Sequence, residues 1–320
     1  MSTLDSTAQL TLLEQANRID PQGNTAVIAE VLAATNEIMM DIPWTMANDT
    51  WTHKAVKRLT LPSGSWRRLN DGVSNEASQT VPVTFGIGML ESYAENDKAL
   101  IDSFPDKAAA RMAESRAFIE GMGQTLASTL FYGSIAATPE KFDGLTAYMG
   151  ATNGWQVQDV GGTGSDTTSI YVVQWGEDAV HMVYPRGHKF LGVNHEDLGV
   201  VTLSGSTGQY QGYRDHFSVY AGLVVRDERC IARVASIETS GTTATFDEDY
   251  LIRAINNMRN RGAGCKIYMN TTIWTQMQIV AKDKTNVNYD ARDPFGRPLL
   301  TFMGHPVRLC DAILNTETAI

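Results

Sequence analysis

Between Thr245 and Asp311 the chain carries more information than in any other stretch: a capped helix, a short strand, a second helix and a closing strand. Thr245 and Glu248 stand at capping-box spacing, and Asp247, Glu248 and Asp249 put negative charge at the positive end of the helix dipole. Tyr250, Leu251, Ala254, Ile255 and Met258 share one face, Arg259 and Arg261 lie near the negative end, and Gly262 can take the left-handed conformation that stops a helix. Lys266 to Met269 then reads as a strand. Asn270 or Thr271 caps a helix whose inner face includes Ile273, Trp274, Met277 and Val280, and Gly304-His305-Pro306-Val307 builds the closing strand. The alternation predicts a small α/β layer, and such a layer serves enzymes and structural proteins alike.

Three hundred and twenty residues are enough for two domains, or for one domain with long insertions. No apolar run reaches the ~18 residues needed to cross a bilayer. The start, Met1-Ser2-Thr3-Leu4-Asp5, lacks the basic and apolar blocks of a signal peptide, so the expected location is the cytoplasm in which the chain is made. Cys230, Cys265 and Cys310 are isolated and odd in number, which predicts buried, reduced thiols. A formal charge of −10 argues against tight wrapping of nucleic acid and suits a wall that must not stick to DNA.

Along the chain, Met1 to about Asp41 reads as an arm, with a weak amphipathic stretch, a turn at Pro21-Gln22-Gly23-Asn24 and a helical pattern through Val27, Val31, Leu32, Ile38 and Met39. Trp51 to Glu91 reads as a long β-excursion of three extended segments: one toward Pro62-Ser63-Gly64, one holding Trp66 and Leu69, one from Thr80 to Leu90. Lys54, Lys57, Arg58, Arg67 and Arg68 make it a basic cluster in an acidic chain. Either it lies against something acidic, such as a neighbouring copy, or it is a solvated edge that discourages aggregation. A long helix follows, bracketed at its start by Ser103 and Asp106 with Pro105 in the first turn; Ala108, Met112, Ser115, Ile119, Met122, Leu126 and Leu130 form its stripe, and Gly121 and Gly123 predict a bend. From Phe142 to Ser240, strand-like runs at Ser169 to Trp175, Ala179 to Tyr184, Val219 to Val225 and Ile231 to Ile237 predict an antiparallel β region.

Motifs of chemistry are sparse. No Gly-Lys-Ser/Thr tripeptide marks a phosphate loop, no Gly-x-Ser-x-Gly elbow and no His-Glu-x-x-His pair occurs, and Gly121-Met122-Gly123 sits inside a helix without a third glycine. His188, His195, Glu196 and Asp197 offer nitrogen and oxygen ligands to a divalent ion, but their spacing is that of a polar surface loop. Asp283, Asp290 and Asp293 beside Arg292 and Arg297 read as salt bridges rather than an acid/base pair. The expectation is no catalytic residue, no metal and no cofactor.

The order of elements, together with Phe131-Tyr132-Gly133, Phe142-Asp143-Gly144-Leu145, Val173-Gln174-Trp175-Gly176, Val183-Tyr184-Pro185-Arg186-Gly187 and the closing Gly304-x-Pro-Val, resembles the major capsid proteins of tailed double-stranded DNA bacteriophages. The resemblance runs from about Ala33 onward. It implies an α+β fold of the Hong Kong 97 type: N-terminal arm 1–45, E-loop 46–93, P-domain 94–245 with a spine helix and β region, A-domain 246–302, and a return strand 303–320. It implies a subunit that self-associates into hexamers and pentamers of an icosahedral shell around DNA, found in the virion and assembled in the host cytoplasm. Lys54, Lys57, Arg58, Arg67 and Arg68 would then be inter-subunit contacts of the E-loop. Some relatives join this loop to a neighbour by a Lys–Asn isopeptide bond assisted by a Glu; Lys54 and Lys57 lie on the loop here, with no Asn or Glu assigned to them. The short arm predicts a separate scaffolding protein, and a portal and a decoration protein complete the implied partners. An encapsulin-like compartment is the alternative with the same fold. A soluble α/β enzyme is the alternative from another class, and a deep pocket of pKa-perturbed groups would mark it.

Overall fold

The computed structural model describes residues 36–150, 155–188, 193–204, 208–241, 243–283, 289–291 and 300–320, with the backbone alone described in 281–283, 289–291 and 300. Of the expected arm, only the end is therefore visible, and the patterns around Pro21 and Val27 lie outside the described residues. Two compact units emerge. One takes in Met89–Leu126 and Lys189–Tyr220, the other Thr35–Gly88, Ala127–His188 and Ala221–Ile320.

In the larger unit a seven-stranded sheet runs in the order β12 (Tyr289–Ala291), β13 (Leu300–Phe302), β14 (His305–Leu309), β11 (Lys266–Met269), β6 (Thr167–Val173), β10 (Ile231–Glu238) and β5 (Val157–Asp159). β6 is buried along its whole length and β10 in all but its last residue, as central strands covered on both faces must be. The sheet is mixed. β10 and β11 flank β6 antiparallel, whereas β5 pairs with β10 and β14 with β11 in parallel. It thus joins strands from the expected β region to strands of the expected α/β layer.

Against this sheet pack α4 (Glu248–Asn257) and α5 (Thr271–Asp283), which bury Leu251, Ala254, Ile255, Ile273 and Met277 among Ile170, Val172, Ile267 and Val307. The predicted inner faces are the buried ones, with Tyr250, Trp274 and Val280 partly covered. The ends differ from expectation. Asp247, not Thr245, caps α4, its Oδ1 accepting from the Asp249 amide at 3.0 Å. The helix stops at Asn257 because Met258 is extended, and Gly262, at φ +66°, closes a following 3-10 turn instead. Asn270 caps α5 through a 3.0 Å bond from the Ile273 amide. Met303 and Gly304, both at positive φ, make the tight turn between β13 and β14.

The same unit holds a two-stranded hairpin, β2 (Thr52–Arg58) with β3 (Thr80–Gly86), in continuous antiparallel register from Thr52↔Gly86 to Arg58↔Thr80. Nearby, β7 (Val180–Tyr184) pairs in parallel with β1 (Trp44–Met46) and antiparallel with the end of β9 (Gln209–Val225). The short helix α1 (Ile38–Asp41) is tied to the large sheet by its last residue. Asp41 meets Lys266 Nζ at 2.5 Å and accepts from Tyr268 Oη at 3.0 Å.

In the smaller unit, β8 (Asn194–Ser204) pairs antiparallel with β9, slipping between Asp197 and Val200, and β4 (Gly88–Asp97) also pairs with β9. The expected helix start resolves into two helices. Ser103 caps the C-terminus of α2 (Lys98–Asp102), and Asp106 alone caps α3 (Lys107–Tyr132), accepting from the Ala109 amide at 3.0 Å. α3 has 26 residues, a rise of about 39 Å. It runs uninterrupted through Gly121 and Gly123 and, like β9, passes from one unit into the other. The stripe is buried only in its second half: Met122, Leu126 and Leu130 are covered, while Met112 and Ile119 are 60% and 42% exposed.

Candidate assembly interface

The hairpin alternates as a half-buried strand pair should. His53 and Ala55 of β2 face inward, where Ala55 and Phe85 join Ala47, Val183 and Val224 in a small core; Lys54 and Val56 face out. Beyond Arg58 the regular pairing ends, and residues 59–79 form neither helix nor strand, so the middle extended segment expected around Trp66 is an irregular loop. Its two legs are held together locally. The Leu59 amide donates to the Gln79 carbonyl at 2.9 Å, and the Glu76 carboxylate accepts from the amides of Ser63 and Gly64 at 2.7 and 3.0 Å. These bonds hold Glu76 below the usual carboxylate range.

A loop so thin has no interior for its apolar side chains. Trp66 is 105% exposed and Leu69 91%, and Leu59, Leu61 and Val73 are also open to solvent. Large apolar side chains gathered in one exposed segment mark a surface that another molecule covers.

The five basic residues are not equivalent. Lys54 pairs with Asp49 at 3.1 Å and Lys57 with Glu228 at 2.8 Å, so both are engaged within the chain. Arg67 donates to the Asp71 carbonyl of its own loop at 3.2 Å. Arg58 and Arg68 are exposed and meet no carboxylate among the described residues. A groove of about 840 Å³ runs beside the hairpin root, lined by Val56, Leu59, Leu61 and Trp155 and by the ion-paired residues Lys57 and Glu228.

The residues that offered metal ligands are dispersed. His195 Nε2 meets Asp215 at 2.9 Å, Asp197 meets Arg111 at 2.7 Å, Glu196 is exposed, and the ring of His188 lies 5.8 Å from that of Trp51. Arg111 also reaches the buried Asp215 at 2.7 Å, which makes this an ion network; the Arg111 hydrogen bond is the main reason Asp197 sits below the usual carboxylate range. Among the described residues no three His, Cys, Asp or Glu side chains converge as a metal site. The side chains of Asp283, Asp290, Asp293, Arg292 and Arg297 lie outside the described residues. A second cavity, of about 610 Å³, is lined among the described residues by Val160, Phe246, Tyr250 and Val280 with Asp247 and Glu248. No helix of the described residues is long and apolar enough to cross a membrane.

Sequence reasoning passed over a densely bonded polar cluster at the C-terminus. The Glu317 carboxylate, 5% exposed, accepts from Arg233 at 2.9 Å, from Tyr171 at 3.1 Å, and from Ser169 and Tyr132. Burial pushes both tyrosines above the ordinary phenol range.

A mixed sheet under two helices, a long helix shared by two units and an exposed basic hairpin match the architecture that the resemblance implied. The model of the family "Major capsid protein GP7" matches residues 20–320. The chain belongs to this family of major capsid proteins. A chain of the near-atomic structure of bacteriophage Epsilon15 is 31% identical, with a TM-score of 0.73 over 100% of this chain and 99% of that one. The bacteriophage JBD30 capsid chain is 10% identical at a TM-score of 0.50 over 92% of this chain and 99% of its own. The SrpI encapsulin of Synechococcus elongatus PCC 7942 is 11% identical, also at 0.50, over 74% of this chain and 100% of its own. These last two share the fold. A search of curated proteins returned no match. The capsid protein has the α+β fold of the Hong Kong 97 type, forms shells as part of the virion, and is a structural protein rather than an enzyme.

Proposed function

We propose that this capsid protein closes its shell as hexamers and pentamers, with the loop between β2 and β3 as the E-loop that each subunit lays over a neighbour. The observation that carries this reading is the exposure of Trp66 and Leu69 on a loop with no core of its own. Covering them with a neighbouring copy removes apolar surface from water, at roughly 25 cal/mol per Å². Arg58, Arg67 and Arg68 then face the acidic surface of a chain with net charge −10, and Lys54 and Lys57 brace the root through Asp49 and Glu228. A contact between one patch and a different patch on the next copy closes into rings when the rotation allows.

In this reading residues 1–45 are the arm, 46–93 the E-loop, 94–245 the P-domain with α3 as its spine, 246–302 the A-domain and 303–320 the return strand; the A-domain sheet also takes in β5, β6 and β10. The acidic chain forms a wall around double-stranded DNA without reading its sequence. Assembly takes place in the host cytoplasm with a scaffolding protein and a portal, and a decoration protein binds the finished shell. Negative-stain microscopy of the protein expressed with and without its neighbouring gene products tests the reading. Rings or shells support it, and dependence on a partner supports the scaffold. A compact monomer under every condition overturns it.

A further inference from the structure

Two histidines meet at the root of the hairpin. His53 of β2 is 9% exposed and His181 of β7 2%, and their rings stand edge to face at 87° with centroids 5.8 Å apart. Both ring nitrogens of His53 and Nδ1 of His181 have no hydrogen-bond partner among the described residues. Buried polar atoms are ordinarily paired, and three orphans in one contact call for a reason.

The surroundings supply the charge logic. Beside the pair lies the small apolar core of Ala47, Ala55, Phe85, Val183 and Val224. Just after β9, Arg226 places a positive charge that acts on both rings. Asp178, in the turn before β7, acts on His181 in the opposite sense, but it is itself paired with Arg226 at 3.3 Å, and the Gly176 backbone bonds the His181 ring. Of the other charged side chains on β2, Lys54 pairs with Asp49, Lys57 pairs with Glu228, and Arg58 is exposed at the far end of the strand. No third side chain joins the two rings as a metal site among the described residues, so proton binding is the chemistry left to them. Burial drives the His181 imidazole down to about 4, with His53 and Arg226 adding to the effect, and burial moves His53 in the same direction.

We propose that His53 and His181 form an acid-sensitive latch: as neutral rings they seat the hairpin root on β7, and when solvent protons charge them the root lifts and the hairpin is released. Two imidazolium ions cannot share an apolar niche, and the exposed Arg226 at its edge adds to the repulsion, so the protonated pair favours the open arrangement in which water solvates each ring. The sign follows from linkage. The closed root holds its histidines neutral below the pH at which free ones take up protons, so its stability is complete above about pH 6.5 and declines as pH falls toward 4. In a shell, and resting on the reading of this loop as the arm laid over a neighbour, acidification is then a signal that lets the arm shift its grip without unfolding the subunit.

Hydrogen exchange of the full chain, corrected for the intrinsic pH dependence of exchange, tests the latch on unassembled subunits. Between pH 7.5 and 5 the opening of residues 52–58 and 80–86 is expected to rise about 30-fold for one histidine whose pKa moves from 6.5 to about 4, while β6 and β10 stay protected. The double variant His53→Leu/His181→Leu, close in volume and unable to titrate, is expected to hold the hairpin closed across the range. Unchanged hairpin protection at pH 4.5, opening of the hairpin and core together, or a double variant with the wild-type profile each overturns the proposal. Should that variant not fold, NMR titration of the two rings in the unaltered chain decides: protonation near pH 6.5 with the hairpin still protected overturns it, and uptake that coincides with release supports it. Microscopy of particles carrying hairpin-tip substitutions reports separately on the arm reading, so a latch without a shell role and a shell without a latch are told apart.

Discussion

Gly133 and Gly144 show how a short motif acquires its physical reason. Each lies in one of the triplets or quartets by which the chain resembles its family, and the Gly144 amide donates to the Gly133 carbonyl at 2.9 Å. A Cβ on Gly133 would fall 2.3 Å from the Phe142 carbonyl oxygen, and one on Gly144 would fall 2.6 Å from that of Thr129. Both neighbours are backbone and cannot swing aside. Gly133→Ala or Gly144→Ala is therefore expected to leave little soluble, folded protein, read by circular dichroism and yield. Gly121 and Gly123 are the contrast, since a Cβ on either meets nothing within 4 Å. Alanine at each is expected to raise stability by about 0.5–1 kcal/mol, measured by denaturant unfolding. The three cysteines are free and buried, and burial pushes the Cys265 and Cys310 thiols up to about 12. They should be silent to a thiol reagent at pH 8 until denaturant is added, when three groups react.

The C-terminal segment is held by Glu317 more than by any strand. Its amide donates to the Thr167 carbonyl at 2.9 Å, its carboxylate closes on Arg233, Tyr171, Ser169 and Tyr132, and Ala319 and Ile320 follow with bonds to Gly164 and Ser236. Removing the carboxylate would strand a buried guanidinium. Glu317→Ala is expected to cost about 3–5 kcal/mol in urea unfolding, and a Glu317→Leu/Arg233→Met double variant distinctly less, because no charge is then left unpaired. No sequence pattern flags this, as a lone Glu near a chain end has no partner in sequence. β8 escaped notice for a related reason. Asn194, His195, Glu196 and Asp197 are all exposed, so they carry no apolar alternation, and only pairing with β9 makes them a strand. The helix stripe through Met112 and Ile119 misled in the other direction, since spacing reports which residues share a face and not whether a neighbour covers it.

For the whole molecule, the proposed assembly contact is tested at the loop tip. Trp66→Ala with Arg68→Glu is expected to leave the melting temperature within about 2 °C, since neither side chain is buried, while rings and shells disappear from micrographs and sedimentation profiles. Retention of normal shells would remove the tip from the assembly contact. Sequence alone determined the elements whose information is local: the inner faces of α4 and α5, strand β11, the closing turn and strand, the buried thiols, and the family itself through the order of its parts. Tertiary structure decided what depends on distant partners: that β5, β6 and β10 share a sheet with β11 and β14, that Asp247 and Asp106 rather than Thr245 and Ser103 cap their helices, that His195 and Asp197 belong to an ion network, and that His53 and His181 face each other. Periodicity encodes which side of an element is apolar. Pairing, burial and charge environment arise only when segments more than a hundred residues apart, such as β2 and β7, are brought into contact.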